Sequence, residues 1–136
     1  MSEKWAKWEP VSGLAEKYDI DSIIDDIESF RMLLATGDES KKKVRVIFEE
    51  SVDAYRRSDE ALRVDLIGDL RQQYGGNFYG KWTFFKVENS TYLRWISEQS
   101  CTIADSLPYM HFAFIAGNFV VDVIAFYEPK VEFLDG

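Results

Sequence analysis

One histidine and one cysteine are all that this 136-residue chain offers for imidazole or thiol chemistry, so attention falls first on His111 and Cys101. If Gly117-Asn118 is a two-residue turn, Ala116 faces Phe119 and His111 faces Ile124. His111 and Asp122 then share one face on a diagonal, within reach of long side chains. A carboxylate beside an imidazole orients the ring and favours its protonated form. With Cys101 ten residues upstream of His111, the three residues have the composition of a thiol triad: nucleophile, base and orienting acid. Against this, a lone histidine on an apolar strand is most often a core residue satisfied by one partner. A lone cysteine is most often a small buried hydrophobe. Nothing places Cys101 at a helix N-terminus, where its thiolate would be stabilised. The expectation is therefore a structural His111–Asp122 pair and a buried, unreactive Cys101.

Other chemistry is sparsely supported. The chain contains no Gly-rich phosphate loop, no Gly-x-Ser-x-Gly and no His-Glu-x-x-His. A zinc site would have to lean on carboxylates, which is uncommon. No metal and no cofactor is expected. Trp82, Phe84, Phe85, Tyr92 and Trp95 are a candidate small-molecule pocket, although strand and helix spacing makes them a core first. Asp25-Asp26 and Glu49-Glu50 are adjacent acids that point opposite ways on a strand, so neither is a catalytic dyad. The balance leans away from an enzyme.

The elements that must position these residues read as follows. Residues 1–17, with Trp5 and Trp8, form an irregular arm anchored by its tryptophans. Ile23, Ile24 and Ile27 fit a short helix or an irregular strand. Phe30–Leu34 and Val44–Phe48 form a hairpin around Gly37-Asp-Glu-Ser40, with apolar residues at 44, 46 and 48. Ser58 caps a helix carrying Leu62, Leu66, Ile67, Leu70 and Tyr74, which stops at Gly75-Gly76. Lys81–Val87 is a strand. Asn89-Ser90 caps a shorter helix bearing Tyr92, Leu93, Trp95 and Ile96. A last hairpin, Tyr109–Ala116 and Phe119–Tyr127, is apolar on both faces, as a sheet buried on both sides would be. The tail from Glu128 supplies an edge strand or an arm. The whole is a single α+β domain over residues 1–136, in the order ββ-α-β-α-ββ. A largely antiparallel sheet carries both hairpins, with two helices packed on one face.

Charge restricts the partners. The chain carries a net charge of −8. Residues 1–30 hold eight acids against three lysines, and residues 88–136 hold seven acids against Arg94 and Lys130. Nucleic acid needs a basic footprint, and Lys41-Lys42-Lys43 with Arg45 is a turn cluster, so no nucleic-acid partner is expected. Apolar runs are too short for a membrane span, and Met1–Trp8 lacks the apolar region of a signal peptide. With a single cysteine, no internal disulfide is possible, and a reducing cytoplasm is the expected location.

The stretch from Trp82 through Trp95, with His111-Phe112, Val120–Ala125 and Glu128-Pro129, resembles small uncharacterised bacterial proteins, some of which are immunity partners of secreted toxins. The resemblance covers about half of the chain and contains no motif diagnostic of activity. It implies a bacterial cytoplasmic binding protein that would cover a basic toxin surface, and it assigns no site residue. Two alternatives stand beside it: a small enzyme or small-molecule binder using the aromatic pocket and His111, and a structural homodimer.

Overall fold

A computed structural model describes residues 3–50 and 52–134; Met1, Ser2, Ser51, Asp135 and Gly136 lie outside the described residues. Among the described residues, nine strands and three α-helices follow one another along the chain. They are β1 (Lys4–Lys7), β2 (Asp19–Asp25), β3 (Phe30–Ala35), β4 (Lys43–Phe48), β5 (Ala54–Asp59), α1 (Val64–Tyr74), α2 (Asn77–Gly80), β6 (Phe84–Glu88), α3 (Thr91–Gln99), β7 (Met110–Ala116), β8 (Phe119–Ala125) and β9 (Lys130–Leu134). The α+β class is as expected. The strands form two antiparallel sheets, one ordered β1-β6-β7-β8-β5 and the other β2-β3-β4-β9.

The hairpins expected to share a sheet lie in separate sheets. In β3–β4, Phe30, Met32, Leu34, Val44, Val46 and Phe48 are fully buried, while the alternate residues face outward. That inner row packs on Phe84, Phe112, Phe114, Val121 and Val123 of the five-stranded sheet. The opposite face of β7–β8 (Ala113, Ile115, Val120) packs with Phe85 and Val87 against Trp5, Ile67, Leu70 and Tyr79. A central hairpin apolar on both faces needs cover on both, and the helices supply only one layer. The second sheet supplies the other. The molecule is thus a three-layer stack of four-stranded sheet, five-stranded sheet and helices.

The β7–β8 register is the one read from the turn: Ala116 opposite Phe119 and His111 opposite Ile124. Gly117 turns the corner at φ 58°, and a Cβ there would lie 2.7 Å from Asp19 Oδ1. Glycine at the first central position is what a tight turn of this hand requires.

Three further expectations change. Ser58 lies in β5 and does not cap α1. The alternation Ala54–Asp59 pairs residue for residue with β8, and this pairing takes the segment away from the helix. Asp59 instead caps a 3₁₀ turn at Glu60–Leu62, Leu62 is exposed, and α1 begins at Val64. Lys4–Lys7 of the arm is regular strand paired to β6, with Trp5 buried and Trp8 packed on the inter-sheet core. Among the described residues there are three α-helices, not two, because Asn77–Gly80 adds a single turn after Gly75-Gly76. The tail forms an edge strand on β4. Among the described residues no helix is long and apolar enough to cross a membrane.

Lys17 ties the arm to the stack. Its ammonium donates to the carbonyls of Tyr79 (2.6 Å), Trp82 (2.9 Å) and Ile115. Burial lowers its pKa to about 8, against the opposing pull of Glu60 and Asp19.

Candidate functional site

The polar centre of the molecule lies between the five-stranded sheet and α3. His111 on β7 and Asp122 on β8 are both buried on the helix side. His111 Nε2 and Asp122 Oδ1 are 2.7 Å apart, as the diagonal register predicts. The other ring nitrogen, Nδ1, is 2.6 Å from Ser90 Oγ. Ser90 is the N-cap of α3, and its Oγ also accepts the N–H of Leu93 at 2.9 Å. Asp122 Oδ2 accepts twice more, from Arg56 Nε at 2.8 Å and from Arg63 Nη1 at 2.9 Å. Arg56 sits directly opposite Asp122 in the β5–β8 ladder. Arg63 comes from the turn before α1 and also reaches Ser58 Oγ at 3.2 Å.

In the neutral ring, Nε2–H donates to the carboxylate, so Nδ1 is the acceptor and Ser90 donates its hydroxyl to it. Ser90 then accepts from Leu93 N–H, and every member has a partner. Burial alone would raise the Asp122 carboxyl. The hydrogen bond from His111 and the charges of Arg56 and Arg63 outweigh it and hold the group well below its ordinary range.

Ser90, His111 and Asp122 have the composition of a hydrolytic triad, but the electrostatics run against that use. In a triad the carboxylate stabilises the imidazolium that forms when histidine takes the nucleophile's proton. Here Asp122 is shared with two guanidiniums, which compete with the ring for its charge. The chain of bonds is built to hold α3, β7, β8 and β5 in one arrangement.

Cys101 has no place at this centre, because both ring nitrogens of His111 are occupied. It is not a buried hydrophobe either. It is exposed, in the turn after α3, with left-handed backbone at φ 51°.

The aromatic candidates divide. Phe84 is buried between the sheets, Phe85 is buried under the helices, and Trp82 packs on both cores while donating Nε1–H to Trp8 O at 3.1 Å. Tyr92 and Trp95 come together on α3, stacked with centroids 6.2 Å apart. With Tyr55 and Arg56 of β5 they line an open cleft of about 460 Å³. A second cleft, of about 510 Å³, runs over Asn89, Ser90, Leu93, Tyr109 and Met110 with His111 at its wall. Sequence reading missed Arg56, Arg63 and Ser90 as partners of the pair. The alternation of Ala54–Asp59 was a usable signal for Arg56; nothing local marks Arg63.

The acids are unevenly placed. Antiparallel pairing brings the β2–β3 turn, the β4–β5 connection and the β8–β9 connection to one end of the stack. That end carries Asp25, Asp26, Glu28, Glu49, Glu50, Asp53 and Glu128, all exposed. Arg31, Lys130 and Lys86 pair with Asp26, Glu49 and Glu128. Amid the acids project the fully exposed Ile27 and the half-exposed Phe126. Tyr127 shares hydrogen bonds with the backbone of Glu50, and Tyr109 donates to Asp53, which pushes the Tyr109 phenol up to about 12.

No family model, no curated protein and no solved structure matches this chain.

Proposed function

We propose that the protein is a binding protein that receives a basic protein partner on this acidic pole, and that the partner is a toxin it neutralises. The observation that carries the reading is the convergence of three connections into one carboxylate-rich end with Ile27 and Phe126 exposed among the acids. A protein interface commonly combines a desolvated apolar anchor with a charged rim, and complementary charge speeds the encounter. The resemblance to small bacterial proteins, some of them immunity partners of secreted toxins, points the same way. The alternative, a small enzyme working through His111, has less to draw on, since that ring is buried and both its nitrogens are engaged.

The test uses the full chain as bait in native lysate, beside a variant with Asp25, Glu28 and Glu50 changed to Lys. A basic protein retained by the wild type, released by salt and lost from the variant supports the reading. Capture that ignores both salt and the three substitutions overturns it.

A further inference from the structure

The five-stranded sheet ends at β5, whose other edge has no strand beside it among the described residues. β5 is regular over six residues, with no proline and no bulge against β8. Such an edge is a template for another extended segment.

Both faces of this edge are furnished alike. On the helix face, the Arg56 guanidinium lies over the Tyr92 ring at 4.1 Å, with Trp95 stacked beyond it and 54% exposed. On the other face, the Arg57 guanidinium lies over the Phe119 ring at 3.8 Å, beside the exposed Tyr55. Arg56 spends Nε on Asp122, and among the described residues its two amino groups are not hydrogen-bonded; Arg57 makes no salt bridge there. Guanidiniums laid on rings and held in place are pre-organised for carboxylates. The chain Ser90–His111–Asp122–Arg56, buried up to its partly exposed arginine, fixes α3 relative to β5, and so fixes the two walls of the cleft.

We propose that the free edge of β5 binds an extended acidic segment of a partner protein as an added strand. Backbone hydrogen bonds would form along Ala54–Asp59. Alternate side chains of the segment would meet Tyr92 and Trp95 on one face and Tyr55 on the other. Its carboxylates would pair with Arg56 and Arg57. The arginines at the centre of the edge, flanked by Asp53, Asp59 and Glu60, call for a segment with its carboxylates at the middle, and a second copy is disfavoured because β5 paired about its centre with itself sets arginine against arginine. The proposal is independent of the acidic pole.

The experiment is selection of random twelve-residue displayed peptides on the full-length protein, with counter-selection on Trp95→Ala. The consensus peptide is then synthesised and followed by Trp fluorescence and by amide exchange. Enriched peptides alternating acidic and apolar residues, protection of the Ala54–Asp59 amides, and binding weakened about tenfold or more by Arg57→Glu support the proposal. Arg57 and Trp95 lie outside the Asp122 network, so both variants are expected to fold, and far-UV circular dichroism checks this. A basic consensus, no Trp95-dependent peptide, indifference to Arg57→Glu, or self-association of the wild-type chain through β5 in sedimentation overturns it.

Discussion

Replacing Asp122 by Asn removes a charge on which three side chains converge. Arg56 and Arg63 then lose their shared carboxylate, and His111 Nε2–H loses its ionised acceptor. The arginines left behind are partly exposed and regain water, so the cost is that of charged hydrogen bonds lost at a buried carboxylate, about 1.5–3 kcal/mol, and urea melts of Asp122→Asn should show a loss in that range. His111→Ala leaves the carboxylate its two arginines, and its cost is the stranded Ser90 hydroxyl and a lost hydrogen bond, about 1–3 kcal/mol. His111→Gln keeps a donor and should cost less than His111→Ala. An Asp122→Asn protein as stable as wild type would refute this assignment. The sign of the pH effect follows from the lowered Asp122 pKa. As pH falls through the ordinary carboxylate range the unfolded chain protonates this group first, so it binds more protons than the native state and stability drops. The stabilisation from Asp122 is present above that range and lost below it, and Asp122→Asn should show a shallower acid limb. The diagonal His111–Asp122 contact was legible because Gly117-Asn118 sets the register of the hairpin. Its other partners were not, because they come from three separate segments that only tertiary packing unites. Exposure of Cys101 gives a separate prediction: iodoacetamide should modify it in the native protein at a rate close to that of the unfolded chain. Strong protection would contradict the exposed turn.

Elements are tied together here by single side chains as much as by packing. Lys17 serves three carbonyls drawn from α2, the segment before β6, and β7. Lys17→Met leaves those carbonyls without their donor and should cost about 1–3 kcal/mol. Its pKa of about 8 lies below the ordinary 10.5. Between those values the unfolded chain holds more protons, so the wild type gains stability as pH rises through the window. Lys17→Met lacks that gain, and parallel melts across the window should show the difference between the two proteins changing. A constant difference would mean that Lys17 titrates normally. Period explains which elements were readable. Val44, Val46 and Phe48 alternate cleanly and form β4, and Ser90 caps α3 as its side chain suggests. Ser58-Asp59-Glu60 looks equally like a helix start, yet the strand pairing of Ala54–Asp59 with β8 prevails and leaves only a 3₁₀ turn behind it. Local capping chemistry and cross-strand pairing compete for the same residues, and the sequence states only the first.

At the scale of the molecule, the double apolar character of β7 and β8 said that this hairpin is covered on both sides, but not by what. A helix layer and a second sheet bury the same residues equally well, and period-2 patterning in β3–β4 fits a neighbour in the same sheet or a cover above it. The difference matters for how the fold fails. Phe112 is fully buried between the sheets, with ring contacts to Trp8 at 5.2 Å and to Phe48 at 5.7 Å. It therefore links the five-stranded sheet, the four-stranded sheet and the arm in one contact set. Phe112→Ala should cost about 3–5 kcal/mol through lost burial and a residual cavity. If the sheets form one cooperative unit, that loss appears equally in the opening free energies of amides in β3–β4 and in β7–β8, read by native-state hydrogen exchange. The arm should follow, because Trp8 loses a ring partner with the same substitution. Leu70→Ala in α1 is the control: it opens the helix layer, at about 2–5 kcal/mol, without touching the inter-sheet contacts. Should Phe112→Ala lower protection in β7–β8 alone and spare β3–β4, the four-stranded sheet would be a separately stable unit and the single three-layer core would be wrong. Equal loss in both sheets would mean that the acidic pole, assembled from connections of both, is held rigid by the same packing that stabilises the fold.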